Sequence, residues 1–499
     1  MLAGRRRWLA GAAAAVGAAG VAGPLLRPRP AAAAAWGSWP ASVASLRLPP
    51  ERRATRVLEL FFYGGLCPWD TFFCVPGWGA GEGRFLHAFD VASRFAPCGG
   101  SGALTRPFAL DDAGTEVHLG PWTHPLWSRP DLLARMRVVV TRHDQLPHET
   151  AIPLALTGAR LGSPQLAGTG SAVQRHFGAQ AQSDRVAPFA YAIHPGGEFS
   201  GENLVAATAT GRHPVTARPW DIAIEQGPVL ASLLERPATA SDRQAHDALL
   251  RLHSDRFAAR LRGIESGRTA RAPALDAWQA MLAAQGHAPE VAPLLDGTLF
   301  GLSLAAECGA PPVASVPVTS ARAAARLLLG EQAARYVLWI DGGLAPSQDG
   351  GHDSHRDHLD HASQSYTHSL RALAERINVP GEGDPDKLDL DDTLVVITSE
   401  FGRSPHRQDD LDGLNHWPQG YVTVLMGGPV DAAAQGVSGS IDPATASADR
   451  FTTPAELRAS LLDALGIYPF DAAAFGLGDL QGAPADDATA IAALRRTVL

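Results

Sequence analysis

The chain has 499 residues and a net charge of −9, from 42 Lys+Arg against 51 Asp+Glu. That acidic balance gives no electrostatic footprint for nucleic acid, and the length is ample for a large buried core. Lys387 is the only lysine, and 51 Gly with 38 Pro makes the chain loop-rich without a disordered composition.

Residues 1–35 read as an address. Arg5-Arg6-Arg7-Trp8-Leu9, a weakly apolar Ala/Gly stretch to Leu26 and the Ala31 to Ala35 run supply the parts of a twin-arginine export signal. The expected destination is periplasmic or extracellular, by export of a chain already folded. A low-complexity anchor is the alternative, but Gly11, Gly17, Gly20, Gly23 and Pro24 make a poor membrane helix. No later segment has about 18 uninterrupted apolar residues, so no stable span is expected in the mature chain.

Residues 36–54 are Pro/Trp-rich and read as an N-terminal arm. Val57 to Tyr63, closed by Gly64-Gly65, is a near-continuous apolar run of the kind buried on both faces of a parallel sheet. Met136 to Thr141, Tyr336 to Ile340, Leu394 to Thr398 and Tyr421 to Met426 repeat it. Strands alternating with helical stretches predict an α/β fold with a mostly parallel central sheet. Residues 55–499 read as one domain with a mainly helical insertion at about 160–330. Within it Ser241-Asp242-Arg243-Gln244 resembles a capping box, and Leu249, Leu250, Leu252, Phe257 and Leu261 recur at helical spacing. Thr453-Pro454 predicts a further helix, with Thr at N-cap and Pro at N1.

Cysteine spacing contains no metal-type pair. Cys67 and Cys74 are close enough to bridge across Asp70, or to remain two buried thiols, and Cys98 and Cys308 add further pairings.

Chemistry-bearing residues follow several strand signals, at the strand ends where open α/β sheets bind ligands. Glu400 comes just after Leu394 to Thr398 and beside Gly402, suited to holding a metal or orienting water; helix N-capping by Ser399 or Glu400 is the alternative. His416 gains interest from its proximity to Glu400. Asp353 and His355 follow Gly350-Gly351, whose freedom lets the backbone bend both groups toward one ion. His358 and His361 are expected on the surface of the helix starting near Asp357. Asp with His points to a divalent Zn, Mn or Fe site, with Zn or Mn favoured over Ca or Mg.

Taken together, these motifs resemble a known family. Ser399-Glu400-Phe401-Gly402-Arg403-Ser404-Pro405, then Asn415-His416-Trp417-Pro418 and Met426-Gly427-Gly428, are similar to the hallmark of the family called domain of unknown function 1501. Gly64-Gly65 through Asp70-Thr71-Phe72, His124-Pro125-Leu126, His148, Leu156-Thr157-Gly158 and Asp353-Ser354-His355 resemble further family motifs in the same order. The resemblance implies membership of the alkaline phosphatase and sulfatase superfamily, with a three-layer α/β/α sandwich and one or two metals at the strand ends. Position by position it implies Asp70, Asp353, His355, Glu400 and His416 as metal ligands. Phe401 occupies the place of a superfamily histidine, and His148 that of the usual nucleophile. Pro147, His352 and Asn415 also depart from the family pattern. Thr71 or Thr150 is left as a protein nucleophile, and Arg403 or Arg142 as the group that grips an anionic ester. The implied activity is exported, metal-dependent hydrolysis of a phosphate or sulfate ester. The alternative is a catalytically silent relative that binds a partner in the cell envelope.

Overall fold

The computed structural model describes residues 36–78, 104–163, 167–180, 189–195, 219–224, 316–329, 333–344, 351–408 and nearly all of 410–499, with scattered positions between 241 and 314. Residues 1–35, expected to be an export signal, lie outside the described residues, as do Phe257, Leu261, Cys98 and Cys308. The described residues from Trp36 to Leu499 belong to one compact unit.

In chain order the described strands are β1 Arg56–Phe62, β2 Arg106–Leu110, β3 Glu116–Leu119, β4 Met136–Thr141, β5 Ala190–His194, β6 Trp220–Ala223, β7 Ser303–Leu304, β8 Val313–Ala314, β9 Tyr336–Asp341, β10 Thr393–Ser399, β11 Gly402–Arg407, β12 Leu414–Trp417, β13 Tyr421–Gly427, β14 Gly436–Ser438, β15 Ser440–Ile441 and β16 Ala448–Arg450. The longer helices are α1 His148–Thr157, α2 Thr169–Gln180, α3 Val316–Leu329, α4 His358–Ala374, α5 Pro454–Ala464 and α6 Asp487–Thr497. Eight strands form the central sheet in the order β14-β4-β13-β10-β1-β9-β5-β6. β1 lies between β10 and β9, parallel to both, and β5 and β6 continue the parallel array. β13 alone runs against its neighbours β10 and β4. The reason is local: the chain between β10 and β13 holds the β11–β12 ribbon and no crossover helix, so it returns in the opposite direction.

The apolar run of β1 is continuous because both faces are covered. Leu58, Leu60 and Phe62 pack with Leu327 and Leu328 of α3 and with Tyr366 and Leu370 of α4. Val57 and Phe61 face the other way, onto Ile152 of α1, Val173 of α2 and Leu457 and Leu461 of α5. Each such side chain contributes about 1.5–3 kcal/mol through burial. Glu59 interrupts the run yet is fully buried. Arg458 of α5 grips it with both guanidinium nitrogens, at 2.6 and 2.7 Å, and the Tyr336 hydroxyl donates to it at 2.5 Å.

Helix starts follow local chemistry. Thr453 caps α5 through a reciprocal box with Glu456, with Pro454 at N1. The described positions between 241 and 256 are helical. Two expectations are corrected. Ser399 and Glu400 cap no helix, because the chain enters β11 instead. His358 is not a surface residue: it starts α4 fully buried, against Trp122 with ring centroids 5.2 Å apart. No helix among the described residues is long and apolar enough to cross a membrane.

Candidate functional site

Four strands deliver the site to one rim. β1, β9 and β10 are parallel, and β4, antiparallel to β13, shares their direction. Their carboxyl ends lead into Gly64, Asp353 and His355, Glu400, and His148 respectively. Ribbon register supplies the last member, because pairing Gly402 with Trp417 and Arg403 with His416 folds His416 back beside Glu400.

Asp353 is the hub. His355 Nε2 lies 3.2 Å and His416 Nε2 3.8 Å from its Oδ1, and His148 Nε2 is 3.4 Å from its Oδ2. His355 and His416 bring their Nε2 atoms to 3.1 Å of one another. Their outer nitrogens decide what that contact is. His416 Nδ1 is 3.0 Å from the Leu146 carbonyl, which can only accept, so the ring proton sits on Nδ1 and Nε2 is a bare lone pair. His355 Nδ1 lies 2.7 Å from Gln408 Oε1, which anchors the outer edge of that ring. The His416 lone pair therefore meets His355 Nε2 beside a carboxylate. This is an arrangement able to hold a cation, with its outer hydrogen bonds already in place.

His148 is held differently. Its Nδ1 is 2.8 Å from Glu400 Oε1, which also accepts the Gly64 N–H at 2.7 Å. Tyr63 stacks on the ring at 5.5 Å, and Phe401 stacks on His416 at 4.2 Å. Phe401 also lies 5.0 Å from the His148 ring, so it walls both imidazoles. Among the described residues the buried His148 Nε2 and Glu400 Oε2 make no hydrogen bond.

Charge follows the geometry. Burial alone would lower the His148 pKa, but the carboxylates of Asp353 and Glu400 outweigh it and push it up to about 9. Burial acts against the Asp353 anion, yet its contacts with His148 and His355 and the Arg403 charge hold it well below the usual carboxylate range. His416 is lowered, first by burial and then by nearby cations, and remains neutral at pH 7. Arg403 is fully buried and spent on the carbonyls of Gly64 and Leu414 and on Asp353. The expectation that Arg403 grips an ester is therefore corrected: it anchors Asp353.

The structure brings His148, Asp353, His355, Glu400 and His416 together and leaves Asp70 and Thr71 in a second cluster. Residues 67–73 coil on themselves through the Thr71 and Phe73 amides, both bonded to the Pro68 carbonyl. Thr71 is buried with its hydroxyl donating to the Cys67 carbonyl at 2.5 Å, so it is no exposed nucleophile. Asp70 groups with Cys67 and His358, all buried and close enough to share an ion. Burial pushes the Cys67 thiol up, and it lies 3.7 Å from Asp70 Oδ2 as a donor. Cys67 and Cys74 are not bridged to each other. Sequence reasoning missed the Gly64 amide, the Leu146 carbonyl and Gln408. Only Gly64, in a Gly-Gly turn, carried a signal.

A model of the family described as "Protein of unknown function (DUF1501)" matches residues 54–494. The class is thus an α/β protein with imidazoles and carboxylates gathered at the rim of a mostly parallel sheet, and the chain belongs to that family. No curated protein matches it.

Proposed function

We propose that this chain is an exported, metal-dependent hydrolase of a phosphate or sulfate ester, on the alkaline phosphatase-like sandwich that its motifs resemble. One observation carries the reading: the His355 and His416 Nε2 atoms meet at 3.1 Å beside Asp353. The donor set of two imidazoles and a carboxylate suits Zn or Mn, whereas Ca and Mg sites are built from oxygen. A divalent cation held there supplies Lewis acidity toward an ester oxygen and acidifies water.

The remaining work belongs to the chain. Asp353, His355 and His416 hold the cation. Arg403, itself held by the Gly64 carbonyl, fixes Asp353 from behind. His148, gripped by Glu400, holds a proton at Nε2 beside the hub and can pass it to a departing alkoxide. Thr71 is sealed away and Thr150 donates its hydroxyl to the Pro147 carbonyl at 3.1 Å, so the reading uses water and no protein nucleophile. Export rests on Arg5-Arg6-Arg7 and the alanine-rich run before Trp36.

A second reading, a catalytically silent binding or assembly protein of the cell envelope, is favoured by the commitment of Arg403 to internal partners. Metal analysis of the purified exported protein and of His416→Ala, with aryl phosphate and aryl sulfate turnover, separates the two. The hydrolase reading expects stoichiometric transition metal and turnover in the parent, both lost in His416→Ala. Metal without turnover leaves the silent reading, and a parent free of transition metal ends the hydrolase reading.

A further inference from the structure

The loops that build the metal-site rim also wall a separate cavity of about 880 Å³, within the roughly 300–1,000 Å³ typical of small-ligand sites. Arg142, His143 and Asp144 line it, and the same loop continues to Leu146 and His148 at the rim. Gln419 lines it three residues after His416. Its apolar wall comes from Leu154 of α1, from Phe451 and from Phe475.

Charge bookkeeping singles out one residue. Arg458 at the floor is neutralised by Glu59, and Arg160 at the mouth by Asp144 at 2.7 Å. Asp479 lies exposed and accepts the Gly476 N–H at 2.8 Å. His143 spends Nε2 on the Glu400 carbonyl at 2.5 Å and Nδ1 on the Gln145 N–H at 3.0 Å. Arg142 has no carboxylate partner among the described residues. It is nevertheless oriented, by the Ala448 carbonyl at 2.8 Å and by the Phe451 ring 5.2 Å beneath its guanidinium. Gln419 adds a buried side-chain oxygen with no donor among the described residues.

We propose that this cavity binds an amphipathic organic anion, its acid group on Arg142 and its apolar body against Leu154, Phe451 and Phe475. A hydroxyl or amide donor on the ligand would meet Gln419. An oriented, uncompensated guanidinium at the edge of an apolar chamber selects that chemistry, because a cation or a neutral hydrocarbon leaves the charge without a partner. This site goes beyond the hydrolase reading and does not depend on it.

The test is isothermal titration of the full chain in EDTA with decanoate, decyl phosphate and decyltrimethylammonium, each below its critical micelle concentration. At least one anion is expected to bind ten-fold or more tightly than the cation, and the stronger of the two says whether carboxylate or phosphate is preferred. Arg142→Gln should weaken that anion at least ten-fold, and Leu154→Trp, which fills the chamber, should abolish binding at an unchanged melting temperature. Equal affinity for anion and cation in the parent overturns the proposal without any variant, as does undiminished anion binding in folded Arg142→Gln. His416→Ala should bind the anion as the parent does, so a metal centre that fails its own test leaves this result intact.

Discussion

Glu400 shows how a single carboxylate can serve by positioning. One of its oxygens holds both the His148 ring and the Gly64 amide, so its charge raises the His148 pKa and its geometry fixes the ring. Glu400→Gln keeps the shape and removes the charge. The expected outcome, in metal-free protein, is a fall in the His148 titration midpoint from about 9, read by NMR of the ring proton; an unmoved midpoint contradicts the account. Glu59 and Arg458 are the structural counterpart, a buried pair with every charged atom partnered. Arg458→Met should cost about 3–5 kcal/mol in urea unfolding, because it strands a buried carboxylate. Glu59→Leu combined with Arg458→Met should recover most of that loss, since two apolar groups restore the packing without a lone charge. Neither Glu59 nor Arg458 carried a functional signal in the sequence, where Glu59 is merely a polar interruption of an apolar run.

At the scale of elements, the site depends on how chain segments approach one another after their strands end. Gly64 follows β1 at φ +110°, and a Cβ there would overlap the Asp353 backbone. Gly64→Ala should therefore push the Asp353 loop away and abolish metal binding, while the buried strands keep the far-ultraviolet spectrum. Metal stoichiometry and circular dichroism together check this, and full stoichiometry in the variant would falsify it. The β11–β12 ribbon acts likewise by setting the His416 register against Arg403. β1, β4, β9, β10 and β13 were legible because buried strands must be apolar on both faces. The ribbon was not: Gly-Arg-Ser-Pro-His-Arg has no period-two apolar pattern, and its pairing is set by the bridge of Gly402 to Leu66 and by Arg403 reaching the Leu414 carbonyl at 2.9 Å.

For the whole molecule, buried neutral histidines set the response to acid. His143 and His176 have pKa values lowered by burial. A histidine with a folded pKa below its unfolded value of about 6.5 binds fewer protons when folded, so stability is complete above that pH and is lost as pH falls below it. His148, with its raised pKa, acts in the opposite sense in parent and variant alike, so thermal melts in EDTA should show His176→Gln losing less stability than the parent between pH 7.5 and pH 5; a difference of zero would remove His176 from the account. The sequence by itself determined the buried strands, the capped start of α5 and the residue types available for a metal site, since burial pattern and capping are local consequences of side-chain chemistry. Only the tertiary structure decided that His148 stands with Asp353, His355, Glu400 and His416 while Asp70 and Thr71 turn away to Cys67 and His358. Convergence at a sheet rim depends on strand order, on direction and on backbone approach at Gly64, and these are fixed by contacts between residues hundreds of positions apart.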